Sequence, residues 1–196
     1  MKKNLLIIVD PQNDFIKGSL SVKGAFEKME KLSQFISDNN DMFERVVVTL
    51  DFHPYHHVSF SEWPIHCLRH SEGSAIHSSL YNSLCSSYHD RIDFYLKGED
   101  KCFEEYSFLD NSFNREKFIG NLVVNDYDNI FICGICGDFC VHETITDLIN
   151  LKETDIRELK FKLKVIEEFT PSLDTGTKLS NLIKDLNLET FKPNEQ

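Results

Sequence analysis

Short apolar runs of strand length recur along the chain, and segments with helical spacing separate them. Leu5–Val9, Val46–Leu50, Ile92–Leu96 and Ile130–Cys133 are β-branched or aromatic in character and end at polar residues or Gly. Phe161, Leu163 and Val165 alternate, which also suits a strand. Between these runs, Ala25, Phe26, Met29, Leu32 and Ile36 share one helical face, and Phe113, Phe118, Ile119 and Leu122 a second. Val141, Thr144, Ile145, Leu148 and Ile149 make a third, and Leu179, Leu182, Ile183 and Leu186 a fourth. Strands that are apolar throughout must be covered on both sides, and helices between them are the connections that parallel pairs need. The pattern predicts an α/β fold: a doubly wound, mostly parallel sheet with helices on both faces.

At 196 residues the chain predicts a single domain over 1–196. Its 21 Lys+Arg against 32 Asp+Glu give a net charge of −11. Non-specific nucleic-acid binding and anionic-membrane binding both need a basic face, so neither is expected. No apolar run approaches the roughly 20 residues of a membrane span. The start, "MKKNLLIIVD", has apolar residues only from Leu5 to Val9 before Asp10, too short for a signal-peptide core of about 7 or more. It reads as the first strand of a cytoplasmic protein. With no export signal, the six cysteines (Cys67, Cys85, Cys102, Cys133, Cys136, Cys140) are expected to be reduced thiols.

The irregular part runs from Asp51 to Asp90, about 40 residues rich in His, Ser and Pro, and a long loop after a strand usually serves function. Ligands of such sheets bind beyond the carboxyl ends of the strands. Asp10, Asp51, Lys97 and the Gly134–Cys140 turn all fall at such ends.

In "VDPQNDF", Asp10 precedes Pro11, which pushes it toward extended geometry. Its carboxylate could cap a turn or, partly desolvated, act as a general acid or base. In "DFHPYHHVSF", followed by "EWPIHC", Asp51, His53 and His57 lie within seven residues and His66 follows nine later. An Asp-x-His pair on extended backbone puts both side chains on one face. A third ligand from a nearby loop would complete a set suited to zinc, iron or manganese; histidines also gather by chance in polar loops. Lys97, in "FYLKGED", reads either as a surface lysine or as a cation holding a thiolate and a carboxylate together.

"ICGICGDFCVHET" places Cys133, Cys136 and Cys140 ahead of His142. A redox pair wants its first sulfur exposed at a helix start, whereas Cys133 ends an apolar run. A zinc knuckle has no second cysteine pair, and Cys140 and His142, two apart on a helix, would point apart. Cys140 is placed differently. Asp138 is a good N-cap, so Cys140 falls in the first helical turn, where free N–H groups and the macrodipole favour a thiolate and can face an oxyanion.

These blocks, D-x-Q-N-D-F, D-x-H-P-x-x-H-x-S-F, W-P-x-H-C, a strand-end Lys before Gly, and G-x-x-x-D-x-C-V, resemble the isochorismatase-like cysteine hydrolases and, within them, the nicotinamidases. The matches cover Val9–Phe15, Asp51–Phe60, Trp63–Cys67, Lys97–Phe108 and Gly134–Val141, in family order. The resemblance implies an isochorismatase-like sheet of about six strands and a catalytic triad of Asp10, Lys97 and Cys140. It implies one divalent metal ion, zinc before iron or manganese, on Asp51, His53 and His66. His57 falls where some relatives have a ligand and others do not. Phe15, Trp63 and Tyr106 would wall the substrate ring, whose nitrogen would bind the metal. The backbone amides of Cys136 and Cys140 would form the oxyanion hole, with a cis peptide at Ile135–Cys136.

The activity implied is deamidation of nicotinamide, or a close pyridine or pyrazine carboxamide, through a thioester, in NAD salvage. The alternatives are another cysteine amidase acting on a carbamoyl or ureido compound and, outside the hydrolases, a zinc-stabilised binding module. A small-molecule substrate is the expected partner, with no nucleic acid and no membrane, and an oligomer is compatible with the sequence. The chain departs from relatives where they usually read A-T-D and it reads Cys136-Gly137-Asp138, a change expected to loosen the turn. The region after Thr170 carries little of the resemblance.

Overall fold

Six parallel strands form one sheet in the computed structural model, which describes residues 2–155 and 157–193. They are β1 (Asn4–Val9), β2 (Arg45–Asp51), β3 (Ile92–Lys97), β4 (Asn129–Gly134), β5 (Lys162–Val165) and β6 (Glu189–Thr190), in the order β3-β2-β1-β4-β5-β6. The helices are α1 (Asn13–Ile16), α2 (Ala25–Asp38), α3 (Ser78–Tyr88), α4 (Ser112–Asn125), α5 (Cys140–Thr154) and α6 (Thr177–Asp185).

The central strands are apolar on both sides because both sides are covered. Leu5, Ile7 and Val9 of β1 pack with Phe118, Ile119, Val141, Ile145 and Leu148 of α4 and α5. Leu6 and Ile8 face the other way, onto Met29, Leu32 and Ile36 of α2 and Leu80 and Leu84 of α3. Full burial of each such side chain is worth about 1.5–3 kcal/mol. The chain reverses its direction of travel across the sheet between β1 and β4, and the crevice at their carboxyl ends is where such folds bind ligands.

The structure differs from the sequence pattern in detail. The irregular stretch stops at His77, and α3 begins at Ser78. Its signal was faint because Leu80, Leu84 and Tyr88 are its only buried residues in a serine-rich segment. Phe113 is 74% exposed. Asn114 takes the inward place instead, donating from Nδ2 to the Leu96 carbonyl (2.7 Å). On α6 only Leu179 is buried, and β6 is a two-residue edge strand without an apolar signature. All six cysteines are unpaired. No helix among the described residues is long and apolar enough to cross a membrane.

Candidate active site

Asp10 leaves β1 in the left-handed region (φ +48°), not the extended one expected from Pro11. Its N–H still joins the sheet through the Thr49 carbonyl (3.0 Å), and Asp tolerates this conformation better than most residues. Thr49 donates its hydroxyl to Asp10 Oδ1 (2.7 Å). Gln12, fully buried, brackets the end of β2: its Nε2 donates to the Asp51 carbonyl (2.7 Å) and its Oε1 accepts from the Asp51 N–H (2.8 Å). Asp14 accepts from the Cys67 N–H (2.7 Å), which anchors the loop just after His66. Phe15 packs on the His66 ring (5.5 Å between centroids). The D-x-Q-N-D-F block is thus one buried carboxylate at the end of β1 followed by three residues that hold the second loop.

Lys97 is not a surface lysine. In register with Asp51 on the neighbouring strand and 1% exposed, its ammonium forms an ion pair with Asp10 (2.9 Å to Oδ2) and donates to the Asp51 carboxylate, to the Glu105 carbonyl (3.2 Å) and to Cys140 Sγ (3.6 Å). Burial disfavours its charge, but Asp10 and Asp51 outweigh that and hold it firmly protonated. Burial raises the Asp10 pKa to about 6, against the pull of Lys97. Burial also pushes the Cys140 thiol well above its ordinary range, again against Lys97. The thiolate expected from the helix position is therefore not the resting form: desolvation of a buried sulfur outweighs it. A thiol beside a carboxylate that titrates near neutrality is arranged for proton transfer.

Cys140 is the first residue of α5, but Asp138 does not cap that helix; Phe139 stands at the cap without a side-chain bond. The Asp138 carboxylate instead accepts from the Cys136 thiol (2.6 Å) and from the N–H groups of Leu173 (3.0 Å) and Asp174 (2.9 Å). Gly137 ties the turn to the segment after Thr170. Its N–H donates to the Pro171 carbonyl (2.8 Å), and a β-carbon there would run into Ser172 Oγ and crowd Thr170 and Leu179. The Ile135–Cys136 peptide is cis. Among the described residues the N–H groups of Cys136 and Cys140 have no acceptor. Cys133 is buried in β4 against the α2 side, where desolvation raises its thiol pKa. Cys133, Cys136, Cys140 and His142 do not converge into a metal-binding group among the described residues.

The histidines upstream do converge. One donor atom each from Asp51, His53 and His66 lie within 4.8 Å of one another, all three residues buried. His53 Nε2 is 3.5 Å and His66 Nε2 3.8 Å from Asp51 Oδ2. The Nδ1 atoms lie against the carbonyls of Gly98 (3.1 Å) and Pro64 (2.8 Å), so each carries its proton there and turns its Nε2 lone pair inward. His53 Nε2 is buried without a hydrogen-bond partner, which is costly unless a cation takes it. Lys97 holds Asp51 ionised despite its burial. An anionic oxygen and two imidazole nitrogens fit a divalent metal with positions left open. His57 is not in this group. It accepts from the Ser59 N–H (3.2 Å), donates from Nε2 to the Phe103 carbonyl (3.0 Å) and stacks on His53 (4.1 Å, 26°). A second group of possible ligands, Asp10, Asp51 and Cys140, surrounds the Lys97 ammonium, which already supplies the charge.

Above these groups lies a cleft whose lining includes Phe15, Trp63, His66, Tyr106 and Cys140. Trp63 Nε1 donates to the Tyr106 hydroxyl (3.3 Å), fixing both rings. Phe139 and Leu173 also line the cleft and were not anticipated. Phe139 meets Trp63 edge-on (5.2 Å, 87°) and Tyr106 (5.7 Å). Its place beside Cys140 was the available signal, and for Gln12 its place in the D-x-Q-N-D-F block; Leu173 had none without the fold.

No family model matches the chain. It is 26% identical to the nicotinamidase of Saccharomyces cerevisiae over 92% of this chain and 93% of that protein. Its structure is similar to that of the PnC1 protein of L. infantum in complex with nicotinate (TM-score 0.78, 27% identity, 97% of this chain, 93% of that chain). It also matches the pyrazinamidase of Pyrococcus horikoshii in complex with zinc (TM-score 0.77, 21% identity, 97% and 99%), a likeness of fold. In sequence the chain resembles curated nicotinamidases, and its sheet and site are built on the isochorismatase-like fold.

Proposed function

We propose that the chain is a metal-dependent cysteine amidohydrolase that converts nicotinamide to nicotinate and ammonia, an activity that serves NAD salvage. The observation that carries this reading is the buried Lys97 ammonium shared by Asp10, Asp51 and Cys140, at the foot of an aromatic cleft. The similarity to the S. cerevisiae nicotinamidase and to a nicotinate-bound structure supports the substrate class.

Phe15, Trp63 and Tyr106 would hold the pyridine ring. Asp51, His53 and His66 would hold the metal, zinc being the ion of the similarly folded P. horikoshii pyrazinamidase, and the metal would anchor the ring nitrogen as a Lewis acid. Asp10 takes the Cys140 proton as Sγ bonds to the amide carbon, so no free buried thiolate has to form. The N–H groups of Cys136 and Cys140 receive the oxyanion; losing one such donor typically costs about 3–4 kcal/mol. As the tetrahedral species collapses, the C–N bond breaks and Asp10 returns the proton to the departing ammonia. Asp10 then accepts a proton from water, which adds to the thioester; the C–S bond breaks, and the acid and the Cys140 thiol are regenerated. Lys97 keeps its charge throughout and holds the sulfur and both carboxylates together. The test is ammonia release from nicotinamide with metal content measured on the same sample. No release from a metal-loaded protein refutes the proposal.

A further inference from the structure

The segment after Thr170 forms one wall of the cleft. Leu173 lines it beside Cys136 and Phe139, yet stays 45% exposed. Leu20 and Val22, the other aliphatic side chains of the lining, are more buried than Leu173, which leaves Leu173 open to contact by a larger ligand. Backbone bonds rather than packing keep it there. The Asp138 carboxylate, buried, accepts from the Leu173 N–H at Oδ1 and the Asp174 N–H at Oδ2, while the Gly137 N–H reaches the Pro171 carbonyl. Gly137 carries no side chain that would push Ser172 away. The wall is therefore tied to the same turn that leads into Cys140.

Resting on the reading of the cleft as an aromatic-carboxamide site, we infer that Leu173 is a specificity-determining residue that limits the substrate to a single ring. Asp138 is the positioning residue that keeps it in place. A fused second ring extending past the Cys136 turn meets the leucine; a pyridine does not reach it. The chain thereby sets substrate size with a segment outside the shared motifs.

Ammonia release is measured from nicotinamide and from quinoline-3-carboxamide with metal-loaded wild type, Leu173→Ala and Asp138→Asn. Amide exchange is followed in all three. Leu173→Ala is expected to raise the kcat/KM ratio of bicyclic over monocyclic amide by about ten-fold or more. Asp138→Asn should move the ratio the same way and speed exchange at the Leu173 and Asp174 amides. General destabilisation would lower both substrates together, and Leu173 is exposed enough for its alanine variant to fold. An unchanged ratio in Leu173→Ala, with wild type active on nicotinamide, overturns the inference. A shift there without one in Asp138→Asn overturns the role of Asp138. A wild type inactive on both amides overturns the carboxamide reading itself, and the size limit with it.

Discussion

Replacing Lys97 by Met tests the electrostatic centre of the site. The ammonium is 1% exposed and sits 2.9 Å from Asp10 Oδ2, with the Asp51 carboxylate also in contact. At about 3 Å and an effective dielectric of about 20, each attraction is about 5 kcal/mol before the cost of desolvating the ammonium is subtracted. Removing it strands the buried Asp51 carboxylate and drives Asp10 to its protonated form, and the loss of one partner of a buried pair costs about 3–5 kcal/mol. For a chain of this size that is a fall of roughly 6–20 °C in Tm. Urea and thermal unfolding of chelated Lys97→Met should show it. Adding Asp51→Asn removes the stranded charge and should recover at least about half of the loss. With a divalent ion bound the deficit should shrink, because Asp51 keeps a cationic partner. A chelated Lys97→Met within about 1 kcal/mol of wild type, or a double variant no better than the single, refutes the reasoning.

Cys140→Ala should abolish ammonia release while folding normally, whereas Cys133→Ala, deep in β4, should lower stability by about 1–2 kcal/mol and leave turnover largely intact; the reverse pattern sinks the assignment of the nucleophile. Gly98 has φ +65°, and a β-carbon there would collide with the His53 ring. Gly98→Ala should therefore weaken metal binding at least about ten-fold in chelator competition, and unchanged affinity would show that the ring orientation is not set there. Gln12→Ala frees the backbone of Asp51 on both sides and should also weaken metal affinity, by about 10–100-fold, while Asn13→Ala, whose amide donates to the Glu72 carbonyl, should not; equal affinities across the three proteins would rule out the bracketing role.

Periodicity and residue type made much of this molecule legible in the chain itself. Uninterrupted apolar runs separated by helical segments pointed to parallel strands buried on both faces, because a strand apolar on both sides must be covered on both and the intervening helices can do so. The positions of Asp10, Asp51, Lys97 and Cys140 at the ends of those runs placed them at one edge of the sheet, since parallel strands share a direction. What the chain could not state is how atoms far apart in sequence face one another. Strand pairing sets Lys97 opposite Asp51, and burial then decides that Cys140 rests as a thiol. The fold also turns both ring nitrogens of His57 away from the Asp51–His53–His66 group. It takes Asp138 from the cap of α5 to the backbone of Leu173 and Asp174, partnerships across 35 and 36 positions that no local pattern encodes. Side-chain type and spacing are local properties and survive in the sequence. Desolvation and hydrogen-bond partnership depend on what the rest of the chain packs around a group, and only the tertiary structure decides them.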